Sequence, residues 1–181
     1  MWIKYRQTIY RILSLVFVVV ISLWVYSIKD QTEQLKAFGY PGIFIISVLA
    51  NATVILPAPG IALVYTFGAF LNPLIVGIVA GIGSAIGELS GYLAGYSGQG
   101  IVTKTAAYEK VHPFVEKYGG LAILLLAAVP NPFFDLAGIA SGALKIKVRD
   151  FLFWCIIGKI IKMLIFSYAG ALSIDWLKNV L

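Results

Sequence analysis

The sequence predicts an all-α integral membrane protein: an N-terminal transmembrane helix, then an inverted repeat in which each copy is a re-entrant hairpin plus a transmembrane helix. Three observations lead there. Of 181 residues, 60% are hydrophobic and 12% charged, against about 45–50% and ~25% in soluble domains. The chain runs from Lys36 to Glu88, from Glu88 to Lys104 and from Lys117 to Asp135 without an intervening Asp, Glu, Lys or Arg, and about 20 apolar residues suffice to cross a bilayer. Two of these runs are interrupted by prolines, at Pro57-Ala58-Pro59 and Pro130-Asn131-Pro132. Such a composition excludes a soluble enzyme, a secreted disulfide scaffold and a nucleic-acid binder.

Residues 1–36 form a basic arm (Lys4, Arg6, Arg11), an apolar run over 12–28 and a polar connection. The run leads to no small-residue cleavage site, so it reads as a retained anchor rather than a signal peptide. Residues 37–96 are the first repeat. Proline removes a backbone donor and clashes with the preceding turn, so no straight helix passes Pro57-Ala58-Pro59. Non-helical backbone at membrane depth is tolerated only against protein or a water-filled cavity, hence a re-entrant hairpin; the rival is two thin spans with a tight external turn. Asn72-Pro73 then opens a full span to about Tyr96, with Gly83, Gly87, Gly91 and Gly95 on a ridge where another backbone can approach.

Residues 97–117 are a polar cytoplasmic connection in which His112, before Pro113, reads as a loop residue. Residues 118–172 restart the plan. Tyr118-Gly119-Gly120-Leu121 echoes Tyr40-Pro41-Gly42-Ile43, Pro130-Asn131-Pro132 echoes the first proline tip, Gly142-Ala143 echoes Gly68-Ala69, and Tyr168-Ala169-Gly170 echoes the end of Tyr92-Leu93-Ala94-Gly95. A second hairpin and a span over 151–172 follow, then a tail, 173–181. The basic loops are the N-terminal arm, the 97–117 connection and Lys145-Ile146-Lys147-Val148-Arg149. All three fall on the cytoplasmic side if residues 12–28 cross outward and the hairpins enter from opposite faces, as the positive-inside rule asks. The repeats are then inverted, a transporter architecture. The location expected is the inner cell membrane, multi-pass, with the N-terminus cytoplasmic.

Four ionisable residues lie within apolar elements: Glu88, Asp135, Lys159 and Lys162. Glu88 sits eight residues before Tyr96 and Lys159 eight after Phe151, so each lies ~12 Å from the cytoplasmic end of its helix. Lys162 is a turn deeper, and the second hairpin tip reaches ~15 Å. All can meet in one layer. They either pair as a structural staple or line a polar cavity, with Lys159 and Lys162 binding an anionic headgroup and Glu88 and Asp135 carrying a coupling proton. Asn131 as N-cap with Pro132 as first helical residue, and Pro59-Gly60 from the other side, aim two half-helix N-termini at the same place, an anion site. Ser84, Glu88 and Tyr92 share a helix face. Tyr65, Tyr92, Tyr96 and Tyr168 read as packing or interfacial residues, and Trp2, Trp24, Trp154 and Trp176 as interfacial or lipid-facing. A lone Cys155 and a single His112 leave no metal cluster, and no cofactor is expected.

Two stretches carry a family resemblance. Residues 88–96, Glu-Leu-Ser-Gly-Tyr-Leu-Ala-Gly-Tyr, resemble the glycine-rich span after the first hairpin of DedA-family proteins, in the VTT (SNARE-associated Golgi protein) superfamily. Pro130-Asn131-Pro132-Phe133-Phe134-Asp135-Leu136-Ala137-Gly138 with Ser141-Gly142-Ala143-Leu144 resembles the second hairpin of its YqaA-like branch. The resemblance implies two opposed re-entrant hairpins and a non-enzymatic role in moving lipids, such as undecaprenyl phosphate or phospholipid, between leaflets, with proton dependence in bacterial members. The first hairpin lacks the acid usual near its proline tip, and the second has Asp135 where arginines are usual. The function expected is therefore a flippase or scramblase for phosphate-bearing lipids, partnered by an anionic lipid and a proton. The alternatives are a proton-coupled transporter of small anions and a non-transporting membrane scaffold; the oligomeric state is left open.

Overall fold

A computed structural model describes residues 32–52, 60–97, 106–130 and 134–180. The expected span at 12–28 and the first proline tip, with Pro59, lie outside the described residues, as do Asn131 and Pro132 of the second. The described chain is helical, without strands: α1 Thr32–Ala52, α2 Gly60–Phe70, α3 Pro73–Gly87, α4 Leu89–Ser97, α5 Ala106–Tyr118, α6 Gly120–Ala128, α7 Phe134–Ala143 and α8 Val148–Val180. Two stretches are long and apolar enough to cross a bilayer, Pro73–Ser97 and Val148–Ser173.

Local chemistry sets the helix ends. Asn72 caps α3, its side-chain oxygen accepting from the N–H groups of Leu74 (3.0 Å) and Ile75 (3.3 Å), and Pro73 fills the first position, where an N–H would be an orphan. α3 and α4 make one rod: the Glu88 N–H donates to the Ser84 carbonyl and the Tyr92 N–H to the Glu88 carbonyl. α7 ends in a Schellman turn, with Ile146 N–H on the Ser141 carbonyl and Lys145 N–H on that of Gly142, and Lys145 at φ 56°.

Two regions are more helical than their sequences announce. The 97–117 connection contains α5, which buries Tyr108, Val111 and Val115 along one stripe and exposes Pro113. His112 is thus a helix residue, its ring centroid 4.7 Å from that of Tyr108 and its Nδ1 3.5 Å from Glu116 Oε2. The tail after Leu172 continues α8 to Val180.

α3 and α8 form the centre and run antiparallel. The Ser167 hydroxyl donates to the Pro73 carbonyl, Gly77 faces Leu164 and Gly81 faces Ile160, so one helix descends as the other ascends. α1 and α2 are the two arms of a helical hairpin: Gly60 meets Ala50 at one end, while Leu71 meets Gly39 and the Asn72 N–H points to the Tyr40 hydroxyl at the other. α1 lies along α3 in the same direction, Gly83 under Phe44 and Ser47, Gly87 under Val48 and Ala52. The glycines of this rod do not serve one neighbour. Gly77 and Gly81 face α8, Gly83 and Gly87 face α1, and Gly95 faces α7: Gly83 lies two residues, about 200°, beyond Gly81, and the four-residue row that starts at Gly83 drifts about 40° per step.

The close approaches come in matched sets. Gly68 abuts the backbone of Ser167, and Gly142 that of Tyr92; Gly170 abuts the carbonyl of Tyr65, and Gly95 that of Ile139. The second arms, α2 and α7, therefore correspond at an offset of 74 residues (68 to 142, 65 to 139), and the spans at 75 (92 to 167, 95 to 170). Gly83 against Phe44 and Ser47 matches Gly158 against Leu124 and Ala127, which sets the first arms, α1 and α6, at 80. That differs from the 78 of the Tyr40/Tyr118 echo, so in the fold Tyr40 corresponds to Gly120.

A methyl group at Gly95 or Gly170 would collide with backbone that cannot swing aside, so Gly95→Ala and Gly170→Ala should each lower stability by about 1–3 kcal/mol. Gly42, mid-helix with nothing within 4 Å of an added Cβ, should by contrast gain about 0.5–1 kcal/mol as alanine. Thermal unfolding of the purified variants in one detergent checks both signs.

Candidate functional site

Glu88 falls where α3 passes into α4, and Lys159 lies in the fourth turn of α8, both 2% exposed. A helical side chain leans toward the N-terminus of its own helix. For Lys159 in the antiparallel α8 that direction leads toward the far end of α3, where Glu88 waits. Lys159 Nζ donates to Glu88 Oε1 at 2.6 Å and to Asn51 Oδ1 at 2.9 Å. Asn51, in the last turn of α1, donates through Nδ2 to the Ser47 carbonyl (2.9 Å) and to Ser84 Oγ (3.2 Å). On the far side, a methyl at Gly138 of α7 would stand 3.7 Å from Glu88 Oε2. One ammonium thus ties three helices, with a fourth lying over the carboxylate.

Both hairpins end at this level. Gly87, immediately before Glu88, faces the last turn of α1, and Gly158, immediately before Lys159, faces the last turn of α6 through the Leu124 carbonyl and Ala128 N–H. Lys162, a turn further along α8, is also buried at 6% exposure. The Ser84–Glu88–Tyr92 stripe is wholly inside. Its members turn to different partners: Ser84 to Asn51, Glu88 to Lys159, and the Tyr92 hydroxyl to the Ile146 carbonyl at 2.6 Å, its ring stacked on Phe151.

The other expected site residues are distributed less fully. Gly60 begins α2 and packs on Ala50, one residue from Asn51. Asp135 is the second residue of α7; its side chain, with Pro59, Asn131 and Pro132, lies outside the described residues. Among the described residues no group of three His, Cys, Asp or Glu could hold a metal. Sequence reasoning passed over Asn51 and Ser47. The available signal was an amide within a charge-free run, where a polar group needs a partner.

Residues 56–172 match the VTT domain. The chain belongs to the VTT-domain family. As a VTT-domain protein with apolar, span-length helices it is a membrane protein. Over 63 residues it is 41% identical to the vacuole membrane protein KMS1 of Arabidopsis thaliana, a similarity covering 32% of this chain and 15% of that relative's length. No solved structure matches it. The VTT match takes in Glu88, Lys159 and Lys162 and begins beyond Asn51 and α1.

A buried charge stripped of its partner is costly. Glu88→Gln and Lys159→Met should each destabilise by about 3–5 kcal/mol. The double variant should recover most of that loss, because two neutral groups of similar volume remain. Unfolding midpoints of the four proteins in one detergent give the coupling.

Proposed function

We propose that this VTT-domain protein is a lipid transporter, a flippase or scramblase that moves phosphate-bearing lipids between leaflets, with a proton as coupling ion. The observation that carries this is the Glu88–Lys159 pair, buried at the level where both helical hairpins end. Ionisable groups held inside a membrane protein cost several kcal/mol and usually mark a transport path. Several features support reading the hairpins as re-entrant and the repeats as inverted. Their arms begin and end level, the close contacts recur at fixed offsets, and each first arm follows its own span. Since the spans are antiparallel, the hairpins then approach the pair from opposite faces.

In this reading the paired state is the resting one. Protonation of Glu88 removes the carboxylate's claim on Lys159, whose ammonium then takes the lipid phosphate, assisted by Lys162 and by the N-terminus of α2 at Gly60. Loss of the proton on the other side restores the pair and expels the headgroup. Carboxylate and phosphate alternate on one ammonium.

Reconstituted with a fluorescent phosphatidylglycerol in phosphatidylcholine vesicles, the protein should accelerate leaflet exchange, and more so on acidification. Folded Lys159→Met and Lys162→Met should lose the activity, and Glu88→Gln should keep movement but not its pH dependence. Unchanged movement by both lysine variants would end the proposal. Uptake of inorganic phosphate without lipid movement would point instead to a transporter of small anions. Topology gives a second check: single cysteines at Lys117 and Lys145 should both be modified from the cytoplasmic side, and labelling from opposite sides would exclude a re-entrant second hairpin.

One rival has an observation of its own. Lys159 is held by a carboxylate and an amide together, which is also how a purely structural staple would be built. A staple predicts that the Glu88→Gln/Lys159→Met protein recovers every property of the wild type; a transporter predicts that it recovers stability alone.

A further inference from the structure

Asn51 belongs to no charge pattern and lies outside the region matching the VTT domain, yet its side chain joins Lys159 to Ser84 and to the Ser47 carbonyl. Its amide has a fixed orientation. Nδ2 is engaged by the Ser47 carbonyl of its own helix and by Ser84 Oγ on α3, so Oδ1 must face Lys159, which it does at 2.9 Å. An amide carbonyl differs from a carboxylate in one decisive way. It accepts a hydrogen bond and directs the ammonium, but it cancels none of the charge.

Lys159 therefore has two unlike holders on different helices. Glu88 neutralises it and can give up that role by taking a proton. Asn51 only orients it and cannot titrate. A phosphate-binding lysine needs the second condition without the first: an ammonium fixed in place with its charge available. We propose that Asn51 is a positioning residue that keeps the Lys159 ammonium in the charged layer when Glu88 is protonated, ready for the phosphate of the transported lipid. This rests on the transport reading above.

The surroundings contain few competitors. α1 presents Ser47 and Asn51, neither titratable. α8 contributes Lys162 and the buried Cys155 beside the pair. α4 brings Tyr92, whose hydroxyl is turned to the Ile146 carbonyl. α7 brings Gly138 against the carboxylate, with Asp135 on the preceding turn, its side chain outside the described residues.

The test uses the intact protein and two substitutions. Asn51→Asp keeps the shape and the hydrogen bond to Lys159, adds a charge that cancels the ammonium, and gives up the two bonds that Nδ2 donates to the Ser47 carbonyl and Ser84 Oγ. The variant should unfold at a lower temperature than wild type, having lost those two bonds, while phosphatidylglycerol exchange by the folded protein in the same phosphatidylcholine vesicles falls about a hundredfold at neutral pH, since the phosphate now meets a like charge. On acidification the rate should return with a two-proton rather than a one-proton dependence. Wild-type exchange with a one-proton profile would overturn the proposal, because a carboxylate at position 51 would then leave the phosphate-binding ammonium unaffected. Asn51→Leu is then compared in the wild-type and Glu88→Gln backgrounds by thermal unfolding. Its midpoint loss should be larger where Glu88 carries no charge; equal losses in the two backgrounds also overturn it. This second measurement needs no lipid. If the wild type moves none, the transport reading fails by itself, and the unfolding cycle still decides whether Asn51 holds Lys159.

Discussion

A carboxylate and an ammonium taken out of water must find each other, and in this protein the requirement governs the packing around them. Desolvating two charges costs several kcal/mol per ion, returned only when geometry is good and the remaining lone pairs and protons are satisfied. Glu88 and Lys159 meet the condition because α3 and α8 come close enough for a lysine side chain to bridge them. That closeness depends on Gly77 and Gly81, which present no side chain to Leu164 and Ile160. The same logic brings α1 alongside: without Gly83 and Gly87, Asn51 would stand too far from Lys159 to accept its hydrogen bond.

The pair is not symmetric, although the scaffold nearly is. At the offset of 75 residues that relates the spans, Lys159 corresponds to Ser84 and Glu88 to Met163. Each repeat thus supplies one charge, from positions a turn apart, and leaves a small hydroxyl or a buried thioether at the matching place. Ser84 receives Asn51, and Met163 packs into the apolar cluster around Leu63 and Phe67. A duplicated framework has been given different chemistry in its two halves.

Much of this was legible in the sequence, for reasons that can be stated. Apolar runs and prolines locate helices and their interruptions, and Asn72-Pro73 marks a helix start by capping chemistry. Counting residues from span ends puts Glu88 and Lys159 level, because rise per residue is nearly constant in a helix. Other features were hidden. α5 is polar in composition, and its packing stripe of Tyr108, Val111 and Val115 is only three residues wide. The register of the first arms was misjudged by two residues, because Tyr40 and Tyr118 look alike but occupy different places. Asn51 was invisible for a deeper reason: its partners are Ser84 and Lys159, 33 and 108 positions away, and no local pattern encodes such a meeting.

The matched glycine contacts also bear on how the chain comes to be assembled. α2 rests on Ser167 and Gly170 of α8, which the ribosome makes about a hundred residues later. At roughly 5–20 residues per second, the first hairpin waits on the order of 5–20 s for the surface that covers it. α7 has no such delay, since Tyr92 and Gly95 precede it. The early hairpin's second arm therefore needs a temporary neighbour during synthesis, whether lipid or the insertion machinery, and the second arm of the late hairpin closes on a seat already prepared.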